Sequence, residues 1–174
     1  MDHFIEKAKS IRLLILDVDG VLTSGILYYG NDGFEMKGFN IHDGLGIKLL
    51  QKTGVTVAII SGKNSQAVVR RLQELTIEHV YLGHNDKLPI YEQLKQKLKL
   101  EDHEIAYIGD DLPDLPILTR VGLAITVPQA PAIIKEHVDF ITEKKGGKGA
   151  VREACDLIMQ AQGRYQSVIQ SYLI

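Results

Sequence analysis

The sequence is short of cysteine, of long apolar runs and of any excess of one sign of charge, and each shortage excludes something. Cys155 is the one cysteine among 174 residues, so an intramolecular disulfide is excluded and a reducing compartment is expected. No apolar run approaches the roughly 20 residues that a membrane-spanning helix needs. The opening MDHFIEKAKS lacks the basic stretch and long apolar core of a signal peptide, so the cytoplasm is the expected location, with no membrane partner. A formal charge of -2 leaves no cationic excess for gripping nucleic acid. Repeats, low-complexity tracts and Ser/Pro-rich linkers are also missing. What remains is an ordinary globular composition, 45% hydrophobic and 24% charged. The length suits one domain over residues 1–174, at roughly 150 residues per domain.

Short apolar runs alternate with longer amphipathic stretches. The segments Leu13 to Leu16, Val55 to Ile60, His79 to Leu82, Ile105 to Ile108 and Leu123 to Val127 have strand length. Several are apolar throughout, the pattern of strands covered on both faces. Helices are predicted between or after them at Asp43 to Lys52, Ser65 to Leu75, Lys87 to Leu98, Asp114 to Arg120, Pro131 to His137 and Ala150 to Gln162. This alternation predicts a three-layer, Rossmann-like α/β fold with a parallel sheet flanked by helices. Such sheets place their sites at the carboxyl ends of the strands. One segment interrupts the pattern: residues 25–40 carry Asn31, Asp32 and Gly33 between aromatic runs and read as a β-hairpin insertion. After Gly163 a tail over 163–174 places Tyr165, Val168, Ile169, Tyr172 and Leu173 at helical spacing, a small apolar stripe that should dock on something.

The chemistry concentrates at strand ends. DVDGVLT, Asp17 to Thr23, follows the run LLIL; if the strand persists there, Asp17 and Asp19 share a face, and Gly20 permits a sharp turn. Like charges about 4 Å apart repel by roughly 4 kcal/mol at an effective dielectric near 20, so the pair needs a cation or a proton. GDDLPD places Asp110, Asp111 and Asp114 at a second strand end. Converging oxygen ligands without His or Cys favour a hard cation, above all Mg²⁺ with a phosphate. Ser61 and Gly62 end a third run, where a hydroxyl and backbone N–H groups suit phosphate oxygens; alone, they also read as a turn with a helix cap. Lys87 stands in the first turn of its helix, where the helix dipole disfavours a cation unless an anion binds; alone, it also reads as a solvated lysine.

The ordered set DVDGVLT, ISG, Lys87 and GDDLPD resembles the four motifs of the haloacid dehalogenase superfamily of phosphotransferases. The flanking GILYYGNDGFEMKGFNIHDGLGIKLL and EKKGGKGAVREACDLIM look like its capless phosphatases of eight-carbon ulosonate 8-phosphates, enzymes of lipopolysaccharide biosynthesis. The resemblance implies that Asp17 is the nucleophile and Asp19 the acid–base group. It implies Mg²⁺ ligation by Asp17, the Asp19 carbonyl and Asp110, supported by Asp111 and Asp114. Ser61 and Lys87 would stabilise the transferring phosphoryl group. It implies a homotetramer in which hairpins pair and a neighbouring subunit helps complete each site.

Length sharpens that implication, because the intervals Asp17 to Ser61 and Ser61 to Lys87 leave no room for a cap domain. Access to a small sugar phosphate would then be closed by another subunit. Candidate recognition residues are Phe39, His42, Asp43 and Gly44, in FNIHDG where the family presents FxxRDG, together with Gly62 and with Lys63 where Arg often follows the SG pair. Lysine keeps the charge but not the bidentate fork. GGKG, Gly146 to Gly149, reads as an anion loop or a linker, with Lys148 and Arg152 candidates for a neighbouring site. Cys155 reads as a buried structural thiol, and His84 as a loop residue rather than a metal ligand. Two alternatives stay open: the same chemistry on a nine-carbon ulosonate 9-phosphate, and a non-catalytic tetramerisation module.

Overall fold

The computed structural model describes residues 3–173. A short helix α1 (His3–Lys9) leads into β1 (Leu13–Leu16), followed by the hairpin strands β2 (Tyr28–Tyr29) and β3 (Glu35–Met36). Then α2 (Ile41–Lys52), β4 (Thr56–Ser61), α3 (Gln66–Glu74), β5 (His79–Leu82), α4 (Leu88–Leu98) and β6 (Ile105–Ile108) alternate. The chain continues through α5 (Leu115–Leu118), β7 (Leu123–Thr126), α6 (Ala132–Lys135) and β8 (Phe140–Ile141) to α7 (Ala150–Ala161) and α8 (Tyr165–Gln170).

Six strands form one parallel sheet in the order β5-β4-β1-β6-β7-β8. The order reverses between β1 and β6, so the crevice at their carboxyl ends is the place for a ligand. The sheet is covered on both faces because successive side chains of an apolar strand point to opposite sides. Leu14 and Leu16 enter one core with Ile47, Leu50, Val151 and Ile158. Leu13 and Ile15 enter the other with Tyr91, Leu94, Tyr107 and Ile117. Among the described residues no helix is long and apolar enough to cross a membrane.

The predicted strands at residues 13–16, 79–82 and 105–108 coincide with β1, β5 and β6. Other expectations shift. The hairpin pairs only Tyr28 with Met36 and Tyr29 with Glu35, a small part of 25–40, because its arms have no core beneath them. The helix expected from Asp114 starts later; Leu112–Asp114 is a 3-10 turn ahead of α5. Lys87 occupies the cap position before α4 instead of its first turn. α1 and β8 were not expected. The apolar stripe of the tail divides, with Tyr165 and Val168 packed against the first core while Tyr172 and Leu173 stay exposed.

Candidate active site

The β1 ladder runs one step past its last strand residue, since the Asp17 amide donates to the Ile108 carbonyl at 3.0 Å. There the strand ends. Asp17 and Asp19 are brought together by a tight turn over Val18–Leu22, in which Asp19 is extended and Gly20 takes φ +91°. A Cβ on Gly20 would fall 1.9 Å from Asp110 Oδ2, so the bare glycine is what lets the two acidic motifs touch. Thr23 Oγ1 braces the turn, accepting the Gly20 amide at 3.3 Å and the Gly25 amide at 3.2 Å.

In-register pairing of Leu16 with both Ile59 and Ile108, and of Ser61 with Leu82, gathers the strand ends into a cleft of about 350 Å³. Asp17, Asp19, Ser61, Lys87, Asp110 and Asp111 all line it, and Gly62, Lys63 and Asp114 contribute to its wall. Carboxylate oxygens of Asp17, Asp110 and Asp114 lie within 4.8 Å of one another. The Lys87 ammonium bridges two of them, 2.9 Å from Asp17 Oδ1 and 2.6 Å from Asp114 Oδ1.

Asp114 is saturated. Its Oδ1 also accepts the Tyr107 hydroxyl at 2.6 Å, and its Oδ2 accepts the Asp110 and Asp111 amides at 3.0 and 3.2 Å. Asp114 therefore holds the loop, whereas no hydrogen bond engages the Asp110 carboxylate among the described residues. Burial, then the Asp17 and Asp114 charges, push Asp110 up to about 8. Burial and Asp114 push Asp17 up to about 6 against the pull of Lys87. For Lys87, burial works against the ammonium, but Asp17 and Asp114 outweigh it and raise its pKa. Burial and Asp114 raise Tyr107, which keeps it a phenol that donates. With all three carboxylates ionised, one ammonium leaves two negative charges uncompensated in an all-oxygen site. A divalent hard cation fits that charge and that donor set.

The remaining predicted residues divide between the cleft and its surroundings. Ser61 is buried, its Oγ accepting the Lys63 amide at 3.5 Å. Asp111 is exposed, and its Oδ1 caps the following turn through the Leu112 amide at 2.8 Å. Phe39 lines a separate pocket of about 760 Å³ between the hairpin and α3, shared with Lys37, Arg70 and Arg71. His42 is exposed beside Lys148 and Arg152 in a third depression. Asp43 is buried and its Oδ1 accepts the Arg152 amide at 2.8 Å, so its carboxylate faces the start of α7. Burial raises Asp43, opposed by the α7 amides. A Cβ on Gly44 would meet Arg71 Nη2 at 2.2 Å, which makes Gly44 a contact between α2 and α3. GGKG is neither a free linker nor an open anion loop. Gly146 is buried against the turn after Asp19, and the Gly147 amide donates to Val21 O at 2.9 Å. The His84 amide donates to Ser61 O at 3.1 Å, and Cys155 is buried with its thiol raised by burial.

Three neighbours of the site went unnoticed in the sequence. Lys37 Nζ lies 2.6 Å from Asp19 Oδ1, Tyr107 holds Asp114, and Gln129 Nε2 donates to Gly20 O at 2.9 Å. The one available signal was a lone tyrosine in the apolar run IAYI, whose hydroxyl needs a buried partner.

A capless parallel sheet with acidic pairs at adjacent strand ends is the framework of an aspartate-based phosphotransferase, and the family model of haloacid dehalogenase-like hydrolases matches residues 79–154. The 3-deoxy-D-manno-octulosonate 8-phosphate phosphatase KdsC of Escherichia coli K12 is 46% identical over 160 residues, covering 92% of this chain and 85% of that protein. The crystal structure of the phosphatase of that name from Moraxella catarrhalis, in complex with magnesium ion, phosphate ion and KDO, superposes with a TM-score of 0.97. It is 43% identical and covers 99% of both chains. The cobalt-bound enzyme of Haemophilus influenzae gives 0.92 at 39% identity, covering 97% of this chain and 99% of that one. The chain belongs to the 3-deoxy-D-manno-octulosonate 8-phosphate phosphatase family.

Proposed function

We propose that the chain hydrolyses 3-deoxy-D-manno-octulosonate 8-phosphate to the free sugar acid and phosphate through an aspartyl-phosphate on Asp17, with Mg²⁺ as cofactor. The observation that carries this reading is the cluster of Asp17, Asp110 and Asp114 with the Lys87 ammonium on Asp17, in a chain of this family. Asp17 attacks phosphorus, and Asp19 gives its proton to the departing sugar oxygen. Asp19 then takes a proton from the water that cleaves the aspartyl-phosphate. Ser61 and Lys87 hold the equatorial oxygens of the phosphoryl group. Asp17, the Asp19 carbonyl and Asp110 would hold the metal, with Asp111 beside them and Asp114 fixing their loop. When bound, Mg²⁺ supplies positive charge to the nucleophile and the phosphoryl oxygens.

The same reading takes the chain as one haloacid-dehalogenase-like unit that assembles as a homotetramer through its hairpins. Tyr28, Tyr29, Phe34 and Met36 are each more than half exposed, an apolar surface that pairing would cover. His42, Lys63, Lys148 and Arg152 remain candidates for contacts to substrate or to a neighbour's site. The lone buried thiol of Cys155 suits a cytoplasmic setting.

Phosphate release should require Mg²⁺, should vanish in Asp17→Asn, and should favour the eight-carbon 8-phosphate over a nine-carbon ulosonate 9-phosphate by specificity constant. Full activity of Asp17→Asn would remove the nucleophile, and the reverse preference would change the substrate. A native-mass measurement that returns a monomer would end the tetramer.

A further inference from the structure

Lys37 is a lysine where the fold gives little reason for one. It follows β3 on the inner side of the hairpin, and its side chain is only 1% exposed. A buried ammonium is costly unless it is paired. Its partner is Asp19, at 2.6 Å, and this is the one hydrogen bond that the Asp19 carboxylate makes among the described residues. The next acceptor within reach is Glu35 Oε1, 3.9 Å away and itself buried without a hydrogen-bond partner. The turn around Asp19 is braced through its backbone, by Thr23, Gln129 and the Gly147 amide. The orientation of the carboxylate therefore depends on a residue of the hairpin, 18 positions away in sequence.

We propose that Lys37 is a positioning residue for the proposed reaction, holding the Asp19 carboxyl where it meets first the leaving oxygen and then the attacking water. This rests on the phosphatase reading of the site. In the first step the bond between phosphorus and the sugar oxygen breaks as Asp17 Oδ bonds to phosphorus, and the sugar oxygen takes the Asp19 proton. In the second, water oxygen bonds to phosphorus, the Asp17–phosphorus bond breaks, and the water proton returns to Asp19. Both proton transfers need a carboxyl within hydrogen-bond reach of the moving proton, so a misplaced Asp19 slows both. A good leaving group dispenses with the first transfer but not with the second.

The test compares wild type, Lys37→Met, Asp19→Asn and the double variant at saturating Mg²⁺, on the eight-carbon sugar phosphate and on p-nitrophenyl phosphate, by rapid quench and in the steady state. Lys37→Met should lower kcat on the sugar phosphate by about 10²-fold, within the range a placed acid–base group contributes, and leave KM within roughly threefold. On p-nitrophenyl phosphate the first turnover should survive and the steady state should fall, giving a burst of about one nitrophenol per site. In the Asp19→Asn background the same substitution should cost less than roughly twofold, because it acts through a group already lost. Equal losses on both substrates without a burst, or losses that multiply in the double variant, would overturn the role of Lys37 while leaving the phosphatase intact. A wild-type chain without Mg²⁺-dependent phosphatase activity would overturn the reading beneath it. If Lys37→Met does not fold, as judged by circular dichroism, Lys37→Gln carries the same comparison.

Discussion

Gly146 lies against Gly20 so closely that a Cβ on Gly146 would stand 1.7 Å from the Gly20 carbonyl oxygen. Gln129 closes the contact, donating to that same oxygen at 2.9 Å and accepting the Gly146 amide at 3.3 Å. The loop before α7 thus clamps the turn that carries Asp19.

Gly146→Ala should therefore lower kcat with the fold intact. A displacement near 1 Å at reacting groups costs about 10²-fold, and a loss of 10- to 100-fold is expected, with a weaker apparent Mg²⁺ affinity. Steady-state kinetics against Mg²⁺ concentration read both, and wild-type values for both would show that the clamp is slack.

Lys87→Met leaves Asp17 and Asp114 buried without their shared counter-charge. Breaking a buried pair by removing one partner costs about 3–5 kcal/mol, which denaturant unfolding should show. Activity should fall by at least about 10²-fold, as when one donor to a developing oxyanion is removed.

Metal removal should invert the pH dependence of stability usual for paired carboxylates. Asp17 and Asp110 titrate higher in the folded chain, at about 6 and about 8, than the ordinary Asp near about 4. At these two groups the folded state binds protons more tightly than the unfolded one, so their contribution to stability in EDTA is greatest at low pH and is lost as pH rises through about 6 and about 8. Mg²⁺ competes with those protons, and its stabilisation should grow over the same interval. Tm measured at pH 5 and pH 8, with and without Mg²⁺, checks both signs.

Asp43 separates two roles by experiment. Its Oδ1 accepts the Arg152 amide, so Asp43→Ala should cost about 0.5–2 kcal/mol, as the loss of a helix cap does, with KM for the sugar phosphate unchanged. A raised KM at unaltered stability would return Asp43 to the substrate.

Cys155 should resist alkylation in the native state, since burial raises its thiol and the thiolate is the reactive form. Labelling should follow global unfolding in denaturant.

Strands β1 and β6 were legible because LLIL and IAYI are apolar on both faces, as a doubly covered strand requires. The two-residue β8 has one exposed member and seven-residue α1 buries only Ala8, so neither prints a period long enough to read. The cleft residues were legible because their motifs sit at strand ends. Lys37 and Gln129 were not, as their partners lie 18 and 109 positions away. The carboxylate of Asp43 looked like a site group in sequence, while the helix end it meets lies 109 positions on. Local pattern reports which residues stand at an edge, and only the packed chain reports what each one faces.

The ladder between β1 and β6, Leu16 opposite Ile108, spaces the two acidic motifs by one interstrand step of about 4.8 Å. Sliding one strand by a single residue would turn every side chain over and, on β6, would carry the Tyr107 hydroxyl away from Asp114, its buried partner at 2.6 Å. At the rim, Asp110 fills the space beside the bare Cα of Gly20, where a Cβ would stand 1.9 Å from its Oδ2. Alignment of the sheet is thus gauged twice, in its packed interior and at the rim of the cleft, where a misfit of one residue is a collision.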